Sequence, residues 1–119
     1  MRLPILFFLL MTPGFAGDWS GALVDARCWG FEERNVSPHE TLMYVDRDRN
    51  LEISFCSPKA KTTSFAIVPA DGQSLLLDAA GNAKAAELVR NSAGKPPLAV
   101  HVTGELNKGT IAVASIASK

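Results

Sequence analysis

Four short segments in the second half of the chain carry apolar side chains at every second position, and this alternation constrains the fold more than any other feature. A period of two is typical of strands with one buried face. It predicts strands over residues 62–68, 74–78, 98–103 and 110–117. Ile116 falls out of phase with Ile111 and Val113, so we expect a bulge or a partly exposed strand end there.

One helix is predicted between the second and third of these strands. Asn82 is its predicted cap, and the helix runs to about Ala93, where Gly94 and a following pair of prolines stop it. Its apolar side chains recur at i, i+3 and i+4, which predicts one buried stripe. A single helix at this place can close the open end of a small barrel.

The N-terminal half predicts one more strand and an insertion. In the segment 19–26, Trp19 and Leu23 lie on one side of an extended chain and Val24 lies on the other. Residues 32–40 have no periodicity and predict a loop, whereas 41–45 and 51–55 predict a hairpin around a polar turn. The resulting order predicts a mainly β fold, a small five-stranded OB-like barrel with a helix between strands 3 and 4. The inserted loop and hairpin span 27–61.

The N-terminus predicts export. One arginine precedes an apolar run from Leu3 to Met11, and small residues stand at Gly14 and Ala16. This arrangement is typical of a secretory signal peptide cleaved after Ala16, whereas a membrane span needs about 20 apolar residues. We therefore expect a signal peptide at 1–16 and a single domain at 17–119. The expected location is the periplasm or the extracellular space, with no transmembrane span.

The two cysteines, Cys28 and Cys56, lie near the two ends of the predicted insertion. An even number of cysteines in a small exported domain is typical of a disulfide, because oxidising compartments permit the bond. Closing such a loop removes unfolded-state entropy worth roughly 3–4 kcal/mol. The sequence therefore predicts a structural bridge that staples the insertion as a unit.

The charge distribution argues against nucleic-acid binding. The chain has 12 basic and 12 acidic residues, so it lacks the basic excess that drives binding to phosphates. Residues 18–56 contain eight acids and four arginines, a balance of −4, and residues 57–119 contain seven bases and four acids, a balance of +3. A surface with such a dipole can orient a protein partner.

Two sequence patterns resemble those of a group of exported, functionally uncharacterised bacterial proteins with OB-like barrels. The first is a Gly-x-hydrophobic-x-Asp-x-x-Cys opening from Gly21 to Cys28, and the second is a Val-x-Val-x-Gly strand from Val100 to Gly104. The resemblance covers most of the predicted mature chain. It implies the fold rather than an activity.

The sequence contains no cofactor motif and no glycine-flanked serine elbow, so a binding role is favoured over catalysis. The alternative is an extracytoplasmic metal-binding or redox enzyme using Cys28, His39 and Cys56, because thiolate and imidazole suit zinc or copper. His101 is expected to be solvated or paired across the sheet. Asp25, near a strand end, is expected to accept hydrogen bonds in a turn or cap.

The leading hypothesis is an exported module that binds a protein or an envelope component through the insertion. Trp29, Phe31 and Arg34 lie close together in an irregular stretch beside a cysteine. Aromatic and arginine side chains are frequent interface anchors, and loops carry function more often than scaffold strands do. These three residues are therefore the predicted interaction site.

Overall fold

A computed structural model describes residues 15–35, 42–70, 72–92 and 97–119, with side chains described for 16–30, 49–70, 72–92 and 97–119. These residues form five strands and three helices. The strands are β1 (Phe15–Asp25), β2 (Phe65–Pro69), β3 (Leu75–Leu77), β4 (Leu98–Asn107) and β5 (Thr110–Ser118). The helices are α1 (Ala26–Asn35), α2 (Leu42–Phe55) and α3 (Ala79–Asn91).

The five strands close into a barrel in the order β1-β2-β3-β5-β4. β1 pairs antiparallel with both β2 and β4, β4 pairs antiparallel with β5, and β3 closes the barrel by pairing parallel with β5. This order, with a helix between β3 and β4, is that of an OB-like barrel. The fold predicted from the alternation pattern is confirmed.

The barrel interior is filled by the side chains that the sequence pattern places on one face. Leu23, Phe65, Ile67, Val100 and Val102 are all fully or almost fully buried there. Trp19 packs against the same cluster, on the side of β1 predicted for it. Because β1 contributes Leu23 to this cluster and Val24 to another, the predicted two-sided strand is also confirmed.

Helix α3 packs against the barrel core through Ala85, but it begins one turn earlier than predicted. The N-cap is Asp78, whose Oδ1 accepts hydrogen bonds from the backbone N–H of Gly81 at 2.9 Å and of Val113 at 3.2 Å. The predicted cap, Asn82, lies inside the helix, and its Oδ1 accepts the N–H of Phe65. A Cβ at Gly81 would overlap the Val113 side chain, so a glycine there lets the helix approach β5 closely.

The predicted irregularity before Ile116 is present as a bulge. Gly104 pairs with Val113 and Thr103 pairs with Ser115, which leaves one extra residue on β5. A Cβ at Gly104 would overlap the carbonyl oxygen of Ala112, so the close approach of the two strands requires glycine. The bulge explains why Ile116 is out of phase and yet packs against the barrel core.

A second core lies outside the barrel, between β1, β2 and the insertion, defined here as residues 26–64. The outward side chains of the two strands, Val24, Ala66 and Val68, pack there against Trp29 and Ile53. Both faces of β2 are consequently buried from Phe65 to Val68. In its described residues, the insertion is therefore a layer packed on the barrel.

The predicted hairpin in this insertion is wrong, because residues 42–55 form helix α2. The alternation of Leu51, Ile53 and Phe55 fits a strand, but Leu51 and Phe55 also have the i, i+4 spacing of a helix. Arg49 and Ile53, another i, i+4 pair, face the barrel. Residues 32–35, predicted as loop, belong to α1, whereas the helical turn predicted at Ser37 and Pro38 lies outside the described residues.

Strand β1 begins two residues before the predicted cleavage point. Phe15 pairs with Leu106 and Ala16 with Glu105, and the pairing then continues from Gly17 onward. Cleavage after Ala16 would remove only those two pairs from the strand. Among the described residues, no helix is long and apolar enough to cross a membrane.

Candidate functional site

The insertion is covalently closed by the bond between Cys28 in α1 and Cys56 at the end of α2. Their Cα atoms are 5.4 Å apart, and neither cysteine is free. The predicted disulfide is confirmed. The alternative site of Cys28, His39 and Cys56 loses both thiolates, because the sulfurs are bonded to each other, and His39 lies outside the described residues. No group of three metal-binding side chains occurs in the part of the chain that the structure describes.

Asp25, the last residue of β1, joins the barrel to both ends of the insertion. Its Oδ1 accepts the backbone N–H groups of Arg27 at 3.0 Å and Cys28 at 3.1 Å, as an N-cap of α1 does. Its Oδ2 accepts the hydroxyl of buried Thr62 at 2.9 Å. Its own N–H donates to the carbonyl of Cys56 at 2.8 Å. The predicted role of Asp25 as a cap acceptor is confirmed.

Asp25→Ala is expected to lower the free energy of unfolding by about 1–3 kcal/mol, because the N-cap is lost and the Thr62 hydroxyl loses its acceptor. Asp25→Asn keeps an oxygen for the two N–H groups, so less than half of that loss is expected. Urea unfolding followed by circular dichroism measures both. Equal stability of Asp25→Ala and the wild-type protein would show that the carboxylate does not hold the insertion.

Trp29 is part of the second core rather than of an exposed surface. Only 4% of its surface is exposed, and it packs in the cluster that contains Val24, Ile53 and Cys56. The predicted interaction site of Trp29, Phe31 and Arg34 is therefore corrected at Trp29, whose ring is not accessible to a partner. The side chains of Phe31 and Arg34 lie outside the described residues, so their roles stay predictions.

Arg49, on the side of α2 that faces the barrel, forms hydrogen bonds with the chain that follows β2. One guanidinium nitrogen donates to the carbonyl oxygens of Pro69, at 2.8 Å, and Gly72, at 2.7 Å. The bonds connect the helix to the turn after β2. A groove of about 510 Å³ runs between α2 and the barrel at this place, with Ile53 and Val68 among its lining residues. The arginine orients α2 through charge-assisted hydrogen bonds.

Two apolar side chains near the C-terminal end of α2 are open to solvent. Leu51 is 63% exposed and Phe55 is 67% exposed, and the two are one helical turn apart. We call this pair the outward face of α2. Sequence reasoning missed it because both residues were assigned to a half-buried strand, although their i, i+4 spacing was a usable signal.

His101 is paired across the sheet as predicted. Its Nδ1 lies 2.9 Å from the Ser20 hydroxyl oxygen, and the two residues are direct partners in the β1–β4 register. Both lie on the outer face of the barrel, because the adjacent Trp19 and Val102 pack in its interior. The pair fastens two strands and has no third group that would orient the imidazole for general-base chemistry among the described residues.

Comparison with known families, with curated proteins and with solved structures finds no match for this chain. The functional argument therefore rests on the geometry of the insertion. The bonds and contacts of its inner side hold the layer on the barrel, which leaves the outward face of α2 without a described structural role.

Proposed function

We propose that the protein is an exported binding module that contacts a partner protein or envelope component through the outward face of α2. The single observation that carries the proposal is the exposure of Leu51 and Phe55 side by side on a helix whose other side is tied down. Fully burying such a side chain is worth about 1.5–3 kcal/mol. Leu51 and Phe55, two such side chains on a helix that is fixed to the barrel, can serve as anchors for a partner.

The disulfide supports the exported location in this proposal. Bonds between cysteines persist in oxidising compartments outside the cytoplasm, and the Cys28–Cys56 bond closes the insertion that carries the outward face. The predicted signal peptide points the same way, and so does the resemblance to exported bacterial proteins with OB-like barrels, which is part of the proposal. The periplasm and the extracellular space both fit.

The charge of the N-terminal half indicates the kind of partner surface that would fit. Residues 18–56 carry a balance of −4, so the best complement to Leu51 and Phe55 is an apolar patch with a basic rim. Such complementarity raises the association rate and makes it dependent on salt. Nucleic acid is not the proposed partner.

Photo-crosslinking in intact cells of the producing organism tests the proposal. A photoreactive residue placed at position 55 is expected to give a discrete adduct, whose yield falls at least about fivefold with Leu51→Gln, because the neighbouring anchor is lost. The control is the same residue at position 108, where exposed Lys108 lies in the β4–β5 turn. No adduct at 55, or the same adduct from both positions, would refute the proposal.

A further inference from the structure

Strand β5 has one edge that is only partly used by the barrel. Along its other edge it pairs with β4 as far as Ser118. Towards β3 it pairs only at Thr110 and Ile111, and the N–H of Val113 is taken by the Asp78 carboxylate. Within the part of the chain that the structure describes, the segment 114–118 has no strand beside it on that edge.

The backbone groups of Ile116 and Ser118 point towards this open edge. Lys119 donates its N–H to the Ala99 carbonyl at 2.9 Å, which is a bond to β4. In an antiparallel pair, successive residues direct their N–H and C=O groups alternately towards the partner and away from it. Lys119 and Ala117 thus face β4, and Ile116 and Ser118 present donors and acceptors on the opposite side.

A groove of about 690 Å³ lies beside this edge, between β5 and α3. The helix begins next to Ile111 and Val113. Leu88 in the helix and Ser92, which follows it, line the groove together with Ile116 and Ser118. The groove thus has a strand edge on one wall and a helix on the other. The unpaired strand segment 114–118 along this groove has five residues, which correspond to about 17 Å of extended chain.

We infer that this groove binds an extended segment of a partner polypeptide, which adds to the barrel as a strand along residues 114–118. Only an extended backbone supplies donors and acceptors at the spacing that Ile116 and Ser118 offer. Alternate side chains of the segment would face Leu88 and Ile116, and these are apolar. The exposed pair Lys84 and Glu87 on the helix wall complements a segment that carries both an acidic and a basic residue.

The position of α3 beside the groove favours a single peptide segment over a second copy of the barrel as the occupant. A second copy would bring its own α3 alongside its own β5, so two helices would compete for the space beside the paired strands. A single strand needs only about 5 Å in the direction of the hydrogen bonds. The segment 114–118 also lacks the charges and prolines that commonly protect an edge from pairing.

The test uses the purified exported protein and a displayed library of random heptapeptides as the probe. Selected peptides are expected to protect the amides of Ile116 and Ser118 from hydrogen exchange. Ser118→Pro removes an outward N–H without removing a bond to β4, and should weaken the selected peptides about two- to tenfold with the melting temperature unchanged. Thr103→Ala removes the side-chain hydrogen bond to Ser115 from β4, at a residue that does not line the groove, and should leave the affinity unchanged.

Three results would overturn the inference. The first is the absence of selected peptides that protect Ile116 and Ser118. The second is binding that Ser118→Pro leaves intact. The third is protection of these amides without peptide, accompanied by a dimer in sedimentation, which would assign the edge to a second copy. Failure of the α2 proposal would not affect any of these readouts, because residues 51 and 55 are not in the groove.

Discussion

Trp29→Ala is expected to lower the free energy of unfolding by about 3–5 kcal/mol, the usual cost of deleting a buried tryptophan side chain. The ring is 4% exposed and fills the second core between the insertion and the outer faces of β1 and β2. Its removal would leave Val24, Ala66 and Val68 facing a cavity. Urea unfolding of the wild-type and variant proteins measures the difference.

Trp29→Phe provides the matched control. The indole Nε1 is buried and has no hydrogen-bond partner among the described residues, and an unpaired buried donor costs about 1–3 kcal/mol. Phenylalanine keeps an aromatic ring and removes that donor, so we expect a loss below about 1.5 kcal/mol. A loss below about 1 kcal/mol for Trp29→Ala would instead place the ring at the surface and restore it as an interface residue.

Replacing Cys28 and Cys56 together by alanine is expected to cost about 3–4 kcal/mol. The two residues are 28 positions apart, and the chain-entropy model assigns this range to a loop of that length. The barrel should remain folded, because its interior cluster contains no residue of the insertion. The variant should therefore keep slow hydrogen exchange at Val100 and Val102.

Urea unfolding and amide exchange on the double alanine variant measure these two effects separately. Reduction of the wild-type protein with a thiol should reproduce the loss of stability. Unchanged stability, or two titratable thiols in the native protein, would contradict the structural role of the bond. Loss of protection in β4 would show that the barrel depends on the insertion.

The barrel was predictable because each of its strands carries its own alternation of apolar and polar residues, which can be recognised without knowing the rest of the fold. Leu98, Val100 and Val102 face one side of a strand in any context that offers a core, and the order of elements then leaves few topologies. The bulge was predictable in the same way, because Ile116 breaks the alternation set by Ile111 and Val113 within a single strand. The start of α3 was harder to predict from the sequence. The Asp78 carboxylate that caps the helix also accepts the N–H of Val113, a residue 35 positions away.

The insertion was not predictable by the same reasoning. Whether the segment from Leu51 to Phe55 becomes helix or strand depends on what it packs against, and five residues with both spacings do not decide it. The run from Phe65 to Val68 did hold a signal, because it has no polar position, as expected of a strand buried on both faces. That signal implies a layer outside β2, and such a layer places Trp29 in a core.

The proposed role of α2 is tested most directly by measuring the adduct yield at position 55 and the urea midpoint on the same Leu51→Gln protein. Leucine and glutamine have similar helix propensities, and Leu51 is largely exposed, so the midpoint should not move. The account predicts that the adduct yield falls at least about fivefold while the midpoint is unchanged. An adduct that survives Leu51→Gln, or a midpoint that falls together with the adduct, would contradict it.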